Sequence, residues 1–167
     1  MIQPHHCFTV KSNGGLLNVI IMDFSVSLPG NSIHMPIKGI WDTGATSTVI
    51  TQNVVNALGL FPTGKTLVNT ASELNKTTNT YLIDVYLKPD VLVRNVKVTL
   101  GTLTGGVDSL IGMDIIMLGD FSITNYQGST CMSFRLPSQH EVDYVKEAKK
   151  EQRTRNLYRP IQKGKRR

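Results

Sequence analysis

Asp42, Thr43 and Gly44 are the residues of this chain best placed to do chemistry, within the stretch Trp41-Asp42-Thr43-Gly44-Ala45-Thr46-Ser47-Thr48-Val49-Ile50. A carboxylate serves as general acid or general base according to its protonation. One delivered by an apolar strand is costly to bury, so Asp42 needs hydrogen-bond partners or water beside it. Gly44 suits a backbone that takes positive φ, or that approaches another group with no Cβ in the way. The bland alternative is a surface turn, where Asp and Gly occur for backbone reasons alone. Other chemistries find less support. His5, His6 and Cys7 stand together, but no second ligand cluster follows at zinc spacing. There is no serine nucleophile elbow, phosphate-binding loop or dinucleotide fingerprint, and His34 and His140 have no recognisable partner.

The elements that must position Asp42 read as strands. Cys7 to Val10 is a short strand before a turn at Ser12-Asn13-Gly14-Gly15. Leu16 to Leu28 is β-leaning, with Phe24, Val26 and Leu28 alternating, and Pro29-Gly30-Asn31 hinges it to a partner strand. In that partner Ile33, Met35, Ile37 and Gly39 alternate up to the aspartate. Beyond the loop, Thr51 is placed to cap a helix over Gln52 to Leu58, and Gly59 to stop it. Residues 65–87 predict a hairpin with arms Thr66 to Ala71 and Thr80 to Leu87, the latter carrying Tyr81, Ile83, Val85 and Leu87 on one face. Its tip, 72–79, is polar. Val91 to Leu100 resumes the alternation, Gly101 to Gly106 is a loop, and Val107 to Ile111 is a further strand. Met113 and Met117, four apart on a short helix, read as core filler. Phe121 to Tyr126 and Cys131 to Leu136 predict a last strand pair around Gln127-Gly128-Ser129.

A second segment, Ser109-Leu110-Ile111-Gly112-Met113-Asp114, gives the first its meaning. The Asp42 loop resembles the active-site loop of aspartic proteases. Ala45 after the triplet is similar to the retroviral-type, retropepsin-like branch. Leu110-Ile111-Gly112 resembles the hydrophobic-hydrophobic-Gly segment that in this family supports the catalytic loop and runs into a short helix. The 65–87 hairpin lies between the two, where the family has its flap, although retroviral flaps have glycine-rich tips and this one has none. The resemblance covers about residues 15–136. It implies an all-β fold: a closed β-barrel of the acid-protease type with one or two short helices, followed by a helical or disordered tail. It also implies an aspartic endopeptidase without cofactor or metal. Asp42, Thr43 and Gly44 are then the catalytic residues, and Thr70, Ala71, Ser72, Gly105, Ile111 and Gly112 the substrate-binding ones.

Peptide hydrolysis of this kind needs two carboxylates in one site, one ionised and one protonated, and their titration belongs to the pair. Asp108 is followed by Ser109-Leu110 rather than Thr-Gly, so the chain carries one such triplet. A homodimer supplies the second aspartate, because a two-fold axis brings the same patch of each subunit together. The expected substrate is an extended polypeptide held as an added strand. The competing expectation is a catalytically silent module of the same fold, serving dimerisation or the binding of peptide or nucleic acid.

Length and composition set the frame. A chain of 167 residues, 40% apolar, fits one domain with a tail, expected at 1–137 and 138–167. No apolar run reaches the roughly 18 residues of a membrane helix, and the start does not read as a secretory signal. With only Cys7 and Cys131, no disulfide scaffold is expected and a reducing, cytoplasmic setting is, both thiols buried as small apolar groups. Residues 138–167 carry ten Lys or Arg against four Asp or Glu, whereas 1–137 carry eight of each. All the net charge of +6 therefore sits in the tail. Ser138-Gln139-His140-Glu141 has the pattern of a capping box, so a helix is expected to begin there, with Val142, Val145 and Ala148 as a brief apolar stripe. Residues 153–167 have too little apolar content to pack and are expected to be disordered. Two readings of the tail stand side by side. One is a solvated extension; the other is nonspecific nucleic-acid contact through Lys149, Lys150, Arg153, Arg155, Lys163, Lys165, Arg166 and Arg167.

Overall fold

The computed structural model describes residues 6–69, 74–88 and 91–157. Apolar alternation dictates most of its strands, since every second residue of a strand points the same way. In order they are β1 (His6–Lys11), β2 (Ile21–Ser27), β3 (Met35–Trp41), β4 (Val49–Ile50), β5 (Gly64–Val68), β6 (Lys76–Lys88), β7 (Val91–Leu100), β8 (Ser109–Ile111), β9 (Asp120–Thr124) and β10 (Cys131–Leu136). The helices are α1 (Gln52–Leu58), α2 (Met113–Ile116) and α3 (Tyr144–Leu157), with a single 3-10 turn at Tyr126–Gly128. The all-β expectation holds.

Six strands close on themselves in the order β2-β3-β8-β4-β7-β6, and β6 pairs back to β2. β6 makes the closure possible. It pairs with β5, β7 and β2, and its register against β7 shifts between Ile83 and Val85 and again between Tyr86 and Lys88. Such shifts bend and twist a strand, which is what a barrel corner requires. Two parallel pairings, β3 with β8 and β4 with β7, seat the Asp42 loop between the strand before it and the strand after it. Inside, Val26, Ile50, Val54, Ile83, Leu87, Val98 and Ile111 are fully buried. Each contributes about 1.5–3 kcal/mol by leaving water.

A second sheet, β1-β10-β9, packs against the barrel through aromatic rings. Phe8, Phe121 and Phe134 face inward, and Trp41 lies among them, stacked on Phe121 with centroids 5.3 Å apart. The residue preceding Asp42 is thus the barrel's anchor to this sheet.

Several local expectations need correcting. Thr51 occupies the N-cap position of α1 but makes no side-chain capping bond, and its Oγ1 is buried without a partner among the described residues. Gly59 does stop the helix, in the left-handed conformation. Met117 is 69% exposed: α2 ends after one turn, so there is no second turn to carry that side chain back to the core. Cys7 is exposed and Cys131 half-buried. Both lie on the sheet face opposite to Phe8 and Phe134, and strand alternation sends them outward. Ser138 does not open a helix, because its hydroxyl donates to Asp120 at 2.6 Å. The helix begins at Tyr144 instead, where Asp143 Oδ1 accepts from the N–H groups of Val145 and Lys146.

Candidate active site

β3 ends at Trp41, and the chain must turn there. Asp42 N–H donates to Ile111 O at 3.0 Å, extending the parallel ladder with β8 by one rung past the strand. The carboxylate is half-buried, and its Oδ1 accepts from Gly44 N–H at 2.8 Å. A Cβ on residue 44 would sit 3.1 Å from that same oxygen, so glycine lets the amide close on the carboxylate without crowding it.

The loop is held from below by β8 and α2. Met113 N–H donates to Ala45 O at 2.8 Å. Asp114 takes two bonds from one residue, Thr48 N–H at 2.9 Å and Thr48 Oγ1 at 2.8 Å. The same hydroxyl accepts from Gly112 N–H at 3.2 Å. Gly112 lies against the loop backbone so tightly that a Cβ there would meet the Ser47 carbonyl carbon at 2.6 Å.

Above Asp42 opens a cleft of about 600 Å³. The Asp42 loop is its floor, Leu67 and Asn69 stand on the β5 side, and Leu103 and Leu110 close other walls. Asp42 is the only carboxylate among the described residues that line it. The first arm of the β5–β6 hairpin lines this cleft from Thr66 to Val68, and Thr78 Oγ1 of its second arm donates to Leu100 O at 2.8 Å. A larger hollow, about 730 Å³, opens on the second sheet beside Phe8 and Phe121. Its one carboxylate among the described lining residues, Asp120, is engaged by Ser138, Arg135 and Gln139 N–H. Those hydrogen bonds, Ser138's first, hold the Asp120 carboxyl well below the usual range. A carboxylate so engaged is a poor proton carrier, so the Asp42 cleft is the candidate site.

The sequence-predicted residues fall into four groups. Asp42, Thr43 and Gly44 come together, with Asp42 and Gly44 lining the cleft and Thr43 exposed beside them. Ile111 is 0% exposed, with its side chain in the barrel core, and Gly112 is buried under the loop; both act by holding it. Gly105 is exposed and is not among the lining residues. Thr70, Ala71 and Ser72 lie outside the described residues. Sequence reasoning missed Leu110 and Asp114. Alternation carries the signal for Leu110, since the neighbour of a fully buried strand residue points outward. Nothing in the sequence ties Asp114 to Thr48, 66 residues away. Among the described residues, no three His, Cys, Asp or Glu side chains gather as a metal site would require.

A model of the family described as gag-polyprotein putative aspartyl protease matches residues 30–117. No curated protein matches the sequence. Among solved structures, a retropepsin-like aspartic protease from Rickettsia conorii is 17% identical, with a TM-score of 0.47 over 81% of this chain and 98% of that one. The EIAV protease, solved with the inhibitor HBY-793, is 15% identical, with a TM-score of 0.42 over 61% and 88%. A foamy viral protease-reverse transcriptase is 20% identical, with a TM-score of 0.40 over 78% of this chain and 14% of that one. None of these likenesses assigns a role to a residue of this chain.

Proposed function

The chain belongs to the gag-polyprotein putative aspartyl protease family, and from that premise we propose that it is an aspartic endopeptidase working as a homodimer through Asp42 of each copy. The observation that carries this reading is Asp42, the one carboxylate among the described residues that line the cleft. Hydrolysis by carboxylates takes two, so the second comes from a second chain.

The ionised Asp42 removes a proton from a water held between the pair, and that oxygen attacks the scissile carbonyl carbon. The protonated Asp42 gives its hydrogen to the carbonyl oxygen as the tetrahedral intermediate forms. Collapse breaks the C–N bond, the leaving nitrogen takes up a proton, and the dyad returns to one shared hydrogen. Gly44 N–H stabilises the ionised oxygen throughout. The substrate chain lies extended between the β5–β6 hairpin and the loop.

The surface best suited to the second copy is the edge of β9. Among the described residues that strand is unpaired on one side, Trp41, which precedes the catalytic aspartate, stacks on its Phe121, and Met117, Leu118, Ile123 and Tyr126 are exposed around it. Open strand edges flanked by apolar groups pair readily with another chain.

The test joins cleavage of an unfolded protein substrate with solution mass. Asp42→Asn should abolish cleavage and leave the dimer, while Ile123→Lys should lose both together. Undiminished cleavage by Asp42→Asn removes the mechanism, and an active monomer removes the shared dyad.

A further inference from the structure

One element is left without a face to bury. Every described side chain of α3 from Tyr144 to Thr154 is exposed. A 14-residue helix whose few described apolar side chains, Tyr144, Val145 and Ala148, are themselves exposed is marginal in water by itself. Its charge pattern makes matters worse. Lys146, Lys149, Lys150 and Arg153 follow the spacing i, i+3, i+4, i+7, which is one helix face. Like charges so placed oppose the helix by about 0.2–0.5 kcal/mol per pair. Glu147 and Glu151 fall on a neighbouring face instead of alternating with the cations. Lys146 is engaged at the head of the helix by Glu141 and Asp143. Lys149, Lys150 and Arg153 project into solvent.

We propose that this face of α3 binds the phosphate backbone of a nucleic-acid strand. A row of phosphates turns the repulsion within the stripe into attraction and gives the helix the partner it lacks. The dimensions agree: Lys149 to Arg153 spans four residues, about 6 Å along the axis, close to two phosphate steps of about 3.4 Å each. The rest of the chain neither helps nor competes, since residues 1–137 are neutral while 138–167 hold the whole excess of +6. A membrane surface fits less well. A helix lying on lipid needs a continuous apolar face opposite its cations, and the opposite side here interrupts Tyr144 and Ala148 with Glu151 and Gln152. No α3 residue is among the described residues that line the Asp42 cleft, and the site stands or falls separately from it.

The experiment uses the full chain and fluorescence anisotropy with two probes, a short oligo-uridine RNA and a short DNA duplex, over a range of salt. Binding should weaken linearly in log–log form. The triple variant K149Q/K150Q/R153Q should lose at least about tenfold in affinity and flatten the salt slope by about 2–3. A control triple, K11Q/K38Q/K97Q, removes as many exposed cations from the strands and should change affinity less than about twofold, because only charges that contact phosphate release counterions. K149R/K150R should retain binding. A preference for either probe supports the proposal, and a lower slope per contact marks the single strand. It is overturned by no salt-dependent binding to either probe, by equal losses in the two triples, or by tighter retention on phosphatidylserine vesicles than on either nucleic acid.

Discussion

Two carboxylates of the barrel, Asp42 and Asp84, show how one chemical group is turned to opposite uses. Asp84 sits at the first register shift of β6 and is fully buried. Its two oxygens accept from Gly30 N–H at 2.9 Å, Asn95 N–H at 2.8 Å and Arg94 at 3.4 Å. It thereby ties the β2–β3 turn and a β7 residue of positive φ to the strand that closes the barrel. Asp42 is half-buried, takes one bond from Gly44, and faces a cleft. Buried polar groups must be satisfied. A carboxylate whose lone pairs are all engaged builds structure, and one left with open lone pairs at a cleft is available to a substrate.

Substitution should separate the two along different axes. Asp42→Asn keeps an oxygen for Gly44 N–H and removes the proton carrier. Peptide cleavage should fall by at least about 10³-fold, about 4 kcal/mol of transition-state stabilisation. Stability should stay within about 0.5 kcal/mol. Asp84→Ala should do the reverse. Losing three hydrogen bonds to a charged acceptor, two from backbone N–H groups and a longer one from Arg94, destabilises by at least about 3 kcal/mol, read as a lower urea midpoint, with residual folded enzyme cleaving normally. A loss below about 1 kcal/mol would mean that water replaces the carboxylate and that Asp84 is no clasp.

The contrast also explains what sequence could reveal. Asp42 was legible because its neighbours in the chain are its neighbours in the site: Trp41 anchors it and Gly44 touches its oxygen. Strand alternation likewise exposed the buried faces of β2, β6 and β7, and Pro29-Gly30-Asn31 marked the hinge. Asp84 and Asp114 were silent, because Gly30 and Thr48, which they hold, lie 54 and 66 residues away, and no local pattern encodes Asp84's nearer bonds to Arg94 and Asn95 across the β6–β7 pair. The closure of β6 onto β2 was hidden for the same reason. In the tail a sound local signal lost to a distant one. Ser138 has the right neighbours for a cap, but Asp120 claims its hydroxyl across 18 residues, and the helix waits for Asp143.

Between the extremes stands Thr48, which belongs to the Asp42 loop but is buried and saturated as Asp84 is. Thr48→Val keeps the shape while removing the hydroxyl that donates to Asp114 and accepts from Gly112. Gly112 N–H is then buried without an acceptor, which costs about 2 kcal/mol. Because those bonds pin the loop, kcat should fall along with stability and KM should hold steady. An unchanged kcat would show that Met113 N–H on Ala45 O fixes Asp42 by itself.

The smallest effect is expected at Asp120, where the contrast turns into a dependence on pH. Ser138, Arg135 and Gln139 N–H stabilise its ionised form in the folded chain, so its carboxyl lies below the usual range there and near the ordinary value of about 4 once unfolded. The unfolded chain therefore binds the proton first as acid is added, and stability must fall with pH. The contribution is fully present above the unfolded value and drains away as pH drops from there toward the folded one. Asp120→Asn should lose a little stability at neutral pH and show a flatter decline between about pH 5 and pH 3 than the parent chain. Since these bonds also fix residues 138 and 139, the segment leading to α3, amide exchange there should quicken in the variant while that of the Asp42 loop stays the same. Equal acid slopes in the two proteins would mean that the clasp at Asp120 is loose in solution, and that the tail is joined to the second sheet by the chain alone.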